Sequence, residues 1–165
     1  EHNEVLQKVF DRIREVGLSL NLSKCVFNQT EVVFLGYKIF NGTFCPDDER
    51  LKPIIDFSLP NCVRSLQRYL GMITYYSKFI SNFSDLTRCL YDKLNDFGEW
   101  TSFEVDSFNK LKNILADACL VLPSENDQLY LQTDASECAV AAILETKEGC
   151  PVQFCSRTLN EHERR

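Results

Sequence analysis

The sequence predicts an α+β fold, and three observations carry that prediction. Apolar residues recur at helical spacing over residues 3–16, 63–80 and 102–116. Short β-branched and aromatic runs flank Asn41-Gly42, a strong hairpin signal. Beyond Pro123 the pattern changes to alternation with a period of two. With 44% hydrophobic and 12% aromatic residues, the 165-residue chain has enough apolar surface to build real cores in one or two small domains.

Taken in order, residues 3–16 read as a helix whose core stripe is Leu6, Val9, Phe10, Ile13 and Val16, closed by Gly17. Glu31 to Ile39 reads as one strand, turned back at Asn41-Gly42 into Thr43-Phe44-Cys45. A short helix follows from about Asp48 to Phe57, with Pro53 arguing for a start later than Asp48. Asn61 is the expected cap of the helix Val63 to Ile80. Further helices cover about Ser84 to Leu94, and Thr101 to Ala116 with a Thr101/Glu104 capping box. After the break at Pro123, strands are expected at Leu129–Thr133, Val140–Leu144 and Val152–Ser156. A three-stranded sheet with no helix over it would leave one face bare, so the last domain looks incomplete.

Composition narrows the function classes. No apolar run is long enough to cross a bilayer and the chain opens without a signal peptide, so no membrane role and a cytoplasmic or nuclear location are expected. The eight cysteines are scattered with no C-x-x-C pair, which reads as buried thiols and excludes a structural zinc site. The net charge is −6, yet residues 50–94 hold seven Lys and Arg against three Asp and Glu. Residues 95–165 hold six against thirteen. Positive charge is therefore concentrated around the helix Val63 to Ile80.

That helix sorts into two faces. At about 100° per residue, Val63, Leu66, Tyr69, Leu70, Ile73, Tyr76 and Ile80 share an apolar arc. Arg64, Arg68, Gly71, Tyr75 and Lys78 fall opposite. Cations on one stripe can pair with phosphates, Tyr75 can pack on a sugar, and Gly71 leaves room for a groove wall. The plain alternative is an amphipathic helix with a solvated face.

Several motifs, in order, resemble one family. Leu18-Ser19-Leu20-Asn21, Lys24-Cys25-Val26-Phe27, Val33-Phe34-Leu35-Gly36-Tyr37, Leu70 to Tyr76 and Phe79 to Ser84 resemble the reverse transcriptase region of Ty3/gypsy-like retrotransposons. Thr133-Asp134-Ala135-Ser136 with Ser156-Arg157 and Leu159 resembles the opening of the ribonuclease H domain that follows in the same polyproteins. The resemblance implies three segments: the end of the palm with a primer-grip-like hairpin (1–49), a helical thumb and linking region (50–122), and a truncated ribonuclease H-like mixed sheet (123–165). It implies a primer grip at Phe34, Leu35, Gly36 and Tyr37. It further implies a sequence-independent hold on an RNA–DNA or DNA duplex through Arg64, Arg68, Gly71, Tyr75 and Lys78.

The same resemblance marks what the chain lacks. The aromatic-x-Asp-Asp strand of the polymerase site does not occur, and Asp47-Asp48 follows Pro46 in a turn and reads as a helix cap. Asp134 resembles the first of four ribonuclease H carboxylates, the other three lying beyond Arg165 in the family. Glu161 and Glu163 are expected to face solvent. A complete parent enzyme would use Mg²⁺; this chain alone is expected to bind no metal and to be inactive. Cys138 and Val140 stand where the family has glycines. The implied identity is a piece of an RNA-directed DNA polymerase with ribonuclease H, whose partners are a nucleic-acid duplex and the rest of the polyprotein. The alternative is a domesticated, non-catalytic remnant that binds a protein or itself through the incomplete sheet.

Overall fold

In the computed structural model, which describes residues 2–164, the first helix is α1, His2–Glu15. Gly17, at φ +73°, ends it: its N–H donates to the Arg14 carbonyl and the Leu18 N–H reaches back to Ile13, both at 3.1 Å. The helix is as expected, but its stripe is not a core. Leu6, Phe10 and Ile13 are half-buried, Val9 and Val16 are exposed, and no described residue of α1 is buried. A 3₁₀ turn at Leu22–Lys24 follows, its first residues held by the Asn21 side chain. The chain divides into two compact units, with the boundary between Thr30 and Glu31.

The second unit begins with two hairpins where one was expected. β1 (Glu31–Phe34), β2 (Tyr37–Phe40) and β3 (Thr43–Pro46) are antiparallel neighbours. The single strand expected over Glu31–Ile39 is broken because Leu35 (φ +51°) and Gly36 (φ +81°) both take the left-handed conformation. That pair makes the two-residue turn that sets Phe34 opposite Tyr37. Asn41 (φ +48°) and Gly42 (φ +70°) repeat it between Phe40 and Thr43.

A fourth strand, β4 (Leu120–Val121), closes this sheet from far along the chain, Thr43 facing Val121 and Phe44 facing Leu120. Cys45 and Cys119 are joined by a disulfide across 74 residues. This corrects the expectation of eight buried thiols. The six free cysteines are half-buried (Cys25, Cys89, Cys138) or exposed (Cys62, Cys150, Cys155).

Four helices fill the middle. α2 (Asp48–Ile55) starts at Asp48 despite Pro53, which lacks one N–H; the Asp56 N–H bonds the Lys52 carbonyl at 2.9 Å and carries the last turn. α3 (Val63–Thr74) is preceded by Cys62, not Asn61, at the N-cap: the Cys62 N–H donates to Ser65 Oγ at 3.2 Å. α4 is Phe83–Asp92 and α5 is Ser102–Ala116. The Thr101/Glu104 box forms as expected, at 2.8 and 3.3 Å. Leu66, Tyr69, Ile73, Leu90, Leu111 and Leu115 are wholly buried between these helices.

β5 (Leu129–Ala135), β6 (Ala139–Thr146) and β7 (Pro151–Thr158) form a second sheet in that order. All its pairings are antiparallel, so the sheet is not mixed as expected. At β7 the sheet meets the helices: Phe154 packs on the helical core and Ser156 Oγ accepts the Ser84 N–H at 2.9 Å. β5, at the far edge, is exposed along its whole length. The β3–β4 pairing and the β7–α4 contact tie residues 31–164 together. The boundaries expected at 49 and 122 therefore fall inside one unit.

Candidate nucleic-acid interface

The apolar arc read from the sequence is the buried side of α3. Leu66, Tyr69 and Ile73 are fully buried and Leu70 nearly so. Tyr69 anchors the helix to α5: its ring lies 4.4 Å from that of Phe108 and its hydroxyl donates to the Phe108 carbonyl at 3.1 Å. Burial holds its phenol well above the ordinary tyrosine range. The opposite side carries Arg64, Arg68, Gly71 and Tyr75 at spacings of four, three and four, all exposed. Arg64 and Arg68 pair with no carboxylate among the described residues, although Arg68 lies 6.0 Å from the Phe57 ring. Nothing lies within 4 Å of the place a Gly71 side chain would take. A glycine in a helix interior costs about 0.5–1 kcal/mol against alanine, and no packing among the described residues asks for it.

Lys78 is not on this stripe. The α-helix ends at Thr74, and Ser77–Phe79 is a 3₁₀ turn that swings the chain away from the helical period. The Lys78 ammonium instead sits 3.9 Å over the Tyr37 ring and 4.6 Å over Phe44, where burial pulls its pKa below the usual lysine value.

The hairpin tip lies beside the end of α3. Phe34 and Leu35 are exposed, Gly36 is half-buried and Tyr37 is buried. Leu35 is a branched residue in the left-handed region, a conformation that costs roughly 1–2 kcal/mol. The Tyr75 hydroxyl donates to its carbonyl at 2.6 Å, and the Tyr75 ring stacks on Tyr37 at 5.3 Å and 9°. Tyr75 therefore reaches the hairpin, where the sequence suggested only a sugar contact. Leu35, Gly36, Arg50, Pro53, Met72 and Tyr75 line a cleft of about 450 Å³ between the tip, α2 and α3.

Asp134 is the last residue but one of β5, opposite Ala141, and is exposed. Ser136 organises the turn after it, accepting the Ala139 N–H at 3.1 Å and the Cys138 N–H at 3.3 Å. Glu161 and Glu163 are both exposed, as expected, and Arg157 grips both oxygens of Glu163, at 2.9 and 3.0 Å, holding its carboxyl below the usual range. Among the described residues no group of three or more His, Cys, Asp or Glu could hold a metal ion. A hard divalent cation needs several oxygens together, and Asp134 offers one carboxylate.

Residues 100–165 match the RNase H-like domain found in reverse transcriptase. Over 168 residues the chain is 34% identical to the retrovirus-related Pol polyprotein of transposon 297 from Drosophila melanogaster, covering 99% of this chain and 16% of the relative. It is 30% identical to the Tf2-3 transposon polyprotein of Schizosaccharomyces pombe, covering 89% and 11%. The foamy viral protease-reverse transcriptase solved with an RNA/DNA hybrid superposes with a TM-score of 0.80 at 25% identity, over 99% of this chain and 23% of that one. The chain belongs to the reverse transcriptase–ribonuclease H region of Ty3/gypsy-type Pol polyproteins. It spans between a tenth and a fifth of the length of these curated relatives. Among the described residues, no helix is long and apolar enough to cross a membrane.

Within this Pol region, some structural residues left little trace in the sequence. The Lys93 ammonium is buried between the Glu104 carboxylate (3.0 Å) and the Glu99 carbonyl (2.8 Å), and lies 4.9 Å from the Trp100 ring. The capping box was the available signal for Glu104; nothing in the local pattern marks Lys93. The Tyr75–Leu35 bond links residues 40 apart, and no local rule finds such a pair.

Proposed function

We propose that this chain supplies a sequence-independent grip on the template–primer duplex of a retrotransposon reverse transcriptase–ribonuclease H, acting in the cytoplasm or nucleus. Arg64 and Arg68 neutralise phosphates along one strand, and Gly71 lets the groove wall approach α3. The Leu35–Gly36 tip faces the primer end. The observation that carries this reading is Gly71. A helix-weakening residue with empty space over it stands one turn beyond Arg68 on the stripe, beside exposed arginines that pair with no carboxylate among the described residues, and an outside partner approaching α3 would give it a purpose. Foamy viral relatives solved with an RNA/DNA hybrid and with double-stranded DNA lend support.

Lys78 contributes to this grip indirectly, by packing on the hairpin's aromatic rings. Asp134 contributes one ribonuclease H carboxylate to a Mg²⁺ site completed by other parts of the polyprotein. Alone, the chain neither polymerises nor cleaves.

Titration of a labelled RNA–DNA hybrid at low and moderate salt tests the grip. Arg64→Ala with Arg68→Ala should weaken binding equally for all base sequences and lower the salt slope by about two. Equal binding by the double variant would remove the stripe from the reading.

A second reading rests on β5, which is exposed along its length and carries Leu131 at 66% exposure. An open strand edge of this kind favours self-association or a protein partner, as in a domesticated remnant. Sedimentation of the chain decides it: a monomer across concentrations, with intact duplex binding, excludes self-association through β5.

A further inference from the structure

We infer that Tyr75 is a positioning residue: it latches the end of α3 to the Leu35–Gly36 hairpin tip, so that a duplex held on α3 and a primer end met by the tip keep a fixed relation. The inference deepens the grip proposed above and rests on it. Three contacts converge on the latch. The Tyr75 hydroxyl donates to the Leu35 carbonyl at 2.6 Å. Its ring stacks on Tyr37, the residue that closes the turn opposite Phe34, at 5.3 Å with planes 9° apart. The Lys78 ammonium, 3.9 Å from the same Tyr37 ring, ties the segment just after α3 to the same strand.

The tip needs such an anchor. Leu35 is exposed and holds a left-handed conformation that its side chain disfavours, and an exposed two-residue turn of this kind opens readily unless something outside it holds the peptide. Gly36 has space that only a neighbouring chain element borders: a side chain there would meet Arg50 Cγ at 3.7 Å and the Tyr75 hydroxyl at 3.8 Å. The Gly36 carbonyl is itself taken by the Asp47 N–H at 3.1 Å. Both peptide oxygens of the turn are thus fixed from outside it, one by α3 and one by the start of α2. Tyr75 is the only one of these anchors that belongs to the duplex-gripping helix, so it carries the coupling.

Tyr75→Phe in the full chain tests the latch, since it keeps the ring and the stack and removes one donor. Amide exchange over Phe34–Tyr37 should quicken roughly three- to tenfold, the range one net hydrogen bond supports, while the Phe40–Thr43 turn stays unchanged as the internal control. In a second readout the unaltered chain should prefer an RNA–DNA hybrid with a recessed DNA 3′ end over a blunt hybrid. Tyr75→Phe should bring that preference, read as the ratio of the two affinities on the same variant, close to one.

Unchanged exchange over Phe34–Tyr37 overturns the latch. Preference retained in Tyr75→Phe, or absent from an unaltered chain that binds hybrid, overturns the coupling. Tyr75→Ala should behave like Tyr75→Phe towards blunt hybrid; a much larger loss would make Tyr75 a direct duplex contact and overturn the positioning role. If the unaltered chain binds no hybrid, the proposed grip fails and the exchange result alone decides the latch.

Discussion

α1 and α3 read alike in the sequence and end differently in the fold. Both are amphipathic, and both have an apolar stripe with charged residues opposite. In α3 the stripe disappears beneath α5 and the neighbouring turns, with Leu66, Tyr69 and Ile73 at 0% exposure. In α1 the corresponding stripe stays open, with Val9 at 47% and Val16 at 51%. A helical period states that one face seeks cover; it does not say what covers it. Within the described residues, the same local signal marks a core element in one unit and an open face in the other.

The largest test of that contrast is a pair of truncations. Leu66→Ala should destabilise the chain by about 3 kcal/mol in denaturant unfolding, because it leaves a cavity among fully packed helices. Val9→Ala should cost well under about 1 kcal/mol, since half its side chain is already in water. Comparable losses would mean that α1 is as well covered as α3, and the contrast would fall.

The interior beside α3 also contains charge, which sharpens the difference. Lys93→Ala should cost about 3 kcal/mol, because it leaves the largely buried Glu104 carboxylate without its cation. Adding Glu104→Gln should restore a good part of that loss while keeping a capping acceptor. If the double variant is no better than Lys93→Ala, the pair is not the source of the effect.

How much of this was legible in advance follows from the range of each interaction. The Thr101/Glu104 box, the Asn41-Gly42 turn, the Gly17 helix end and the α3 arc are all decided by residues within about four positions of each other, so the pattern shows them. The Leu35-Gly36 turn leaves no such mark, because leucine is an unusual occupant of the left-handed region and the run Glu31–Ile39 looks continuous without it. The helical period alone puts Lys78 on the stripe, but past Thr74 the chain tightens into a 3₁₀ turn and leaves that period. Cys45 and Cys119 look like scattered thiols until β4 pairs with β3.

A smaller effect separates stability from function on α3 itself. Gly71→Ala should raise thermal stability by about 0.5–1 kcal/mol, since it fills open space on an exposed helix face, and should weaken hybrid binding. A variant that is more stable and binds equally well would return Gly71 to an accident of an ordinary solvated face.

The smallest expected effect is in pH. Burial works to raise the Glu104 carboxyl, but hydrogen bonds from Thr101 and Lys93 outweigh it and hold it below the ordinary glutamate value. Its stabilisation is therefore present above that ordinary value and is lost as pH falls through the lower, folded one. Acid unfolding of Glu104→Gln should lack this component, and superimposable stability–pH curves below the ordinary glutamate range would refute it.

The sequence by itself determined the placing of α1, α2, α4, α5 and the strands β5 to β7, which side of α3 is apolar, the basic stripe of Arg64 and Arg68, and the kinship with Pol polyproteins. Each depends on local period, turn chemistry or motif order, all written in neighbouring residues. Only the tertiary structure decided that α3's stripe is covered while α1's is not. It also decided that β4 returns to β3, that Lys78 turns onto aromatic rings, and that Tyr75 reaches Leu35. Those outcomes depend on contacts between residues far apart in the chain, such as Tyr75 with Leu35, 40 positions apart, and Cys45 with Cys119, 74 apart, and the chain's local pattern carries no record of which distant partner arrives.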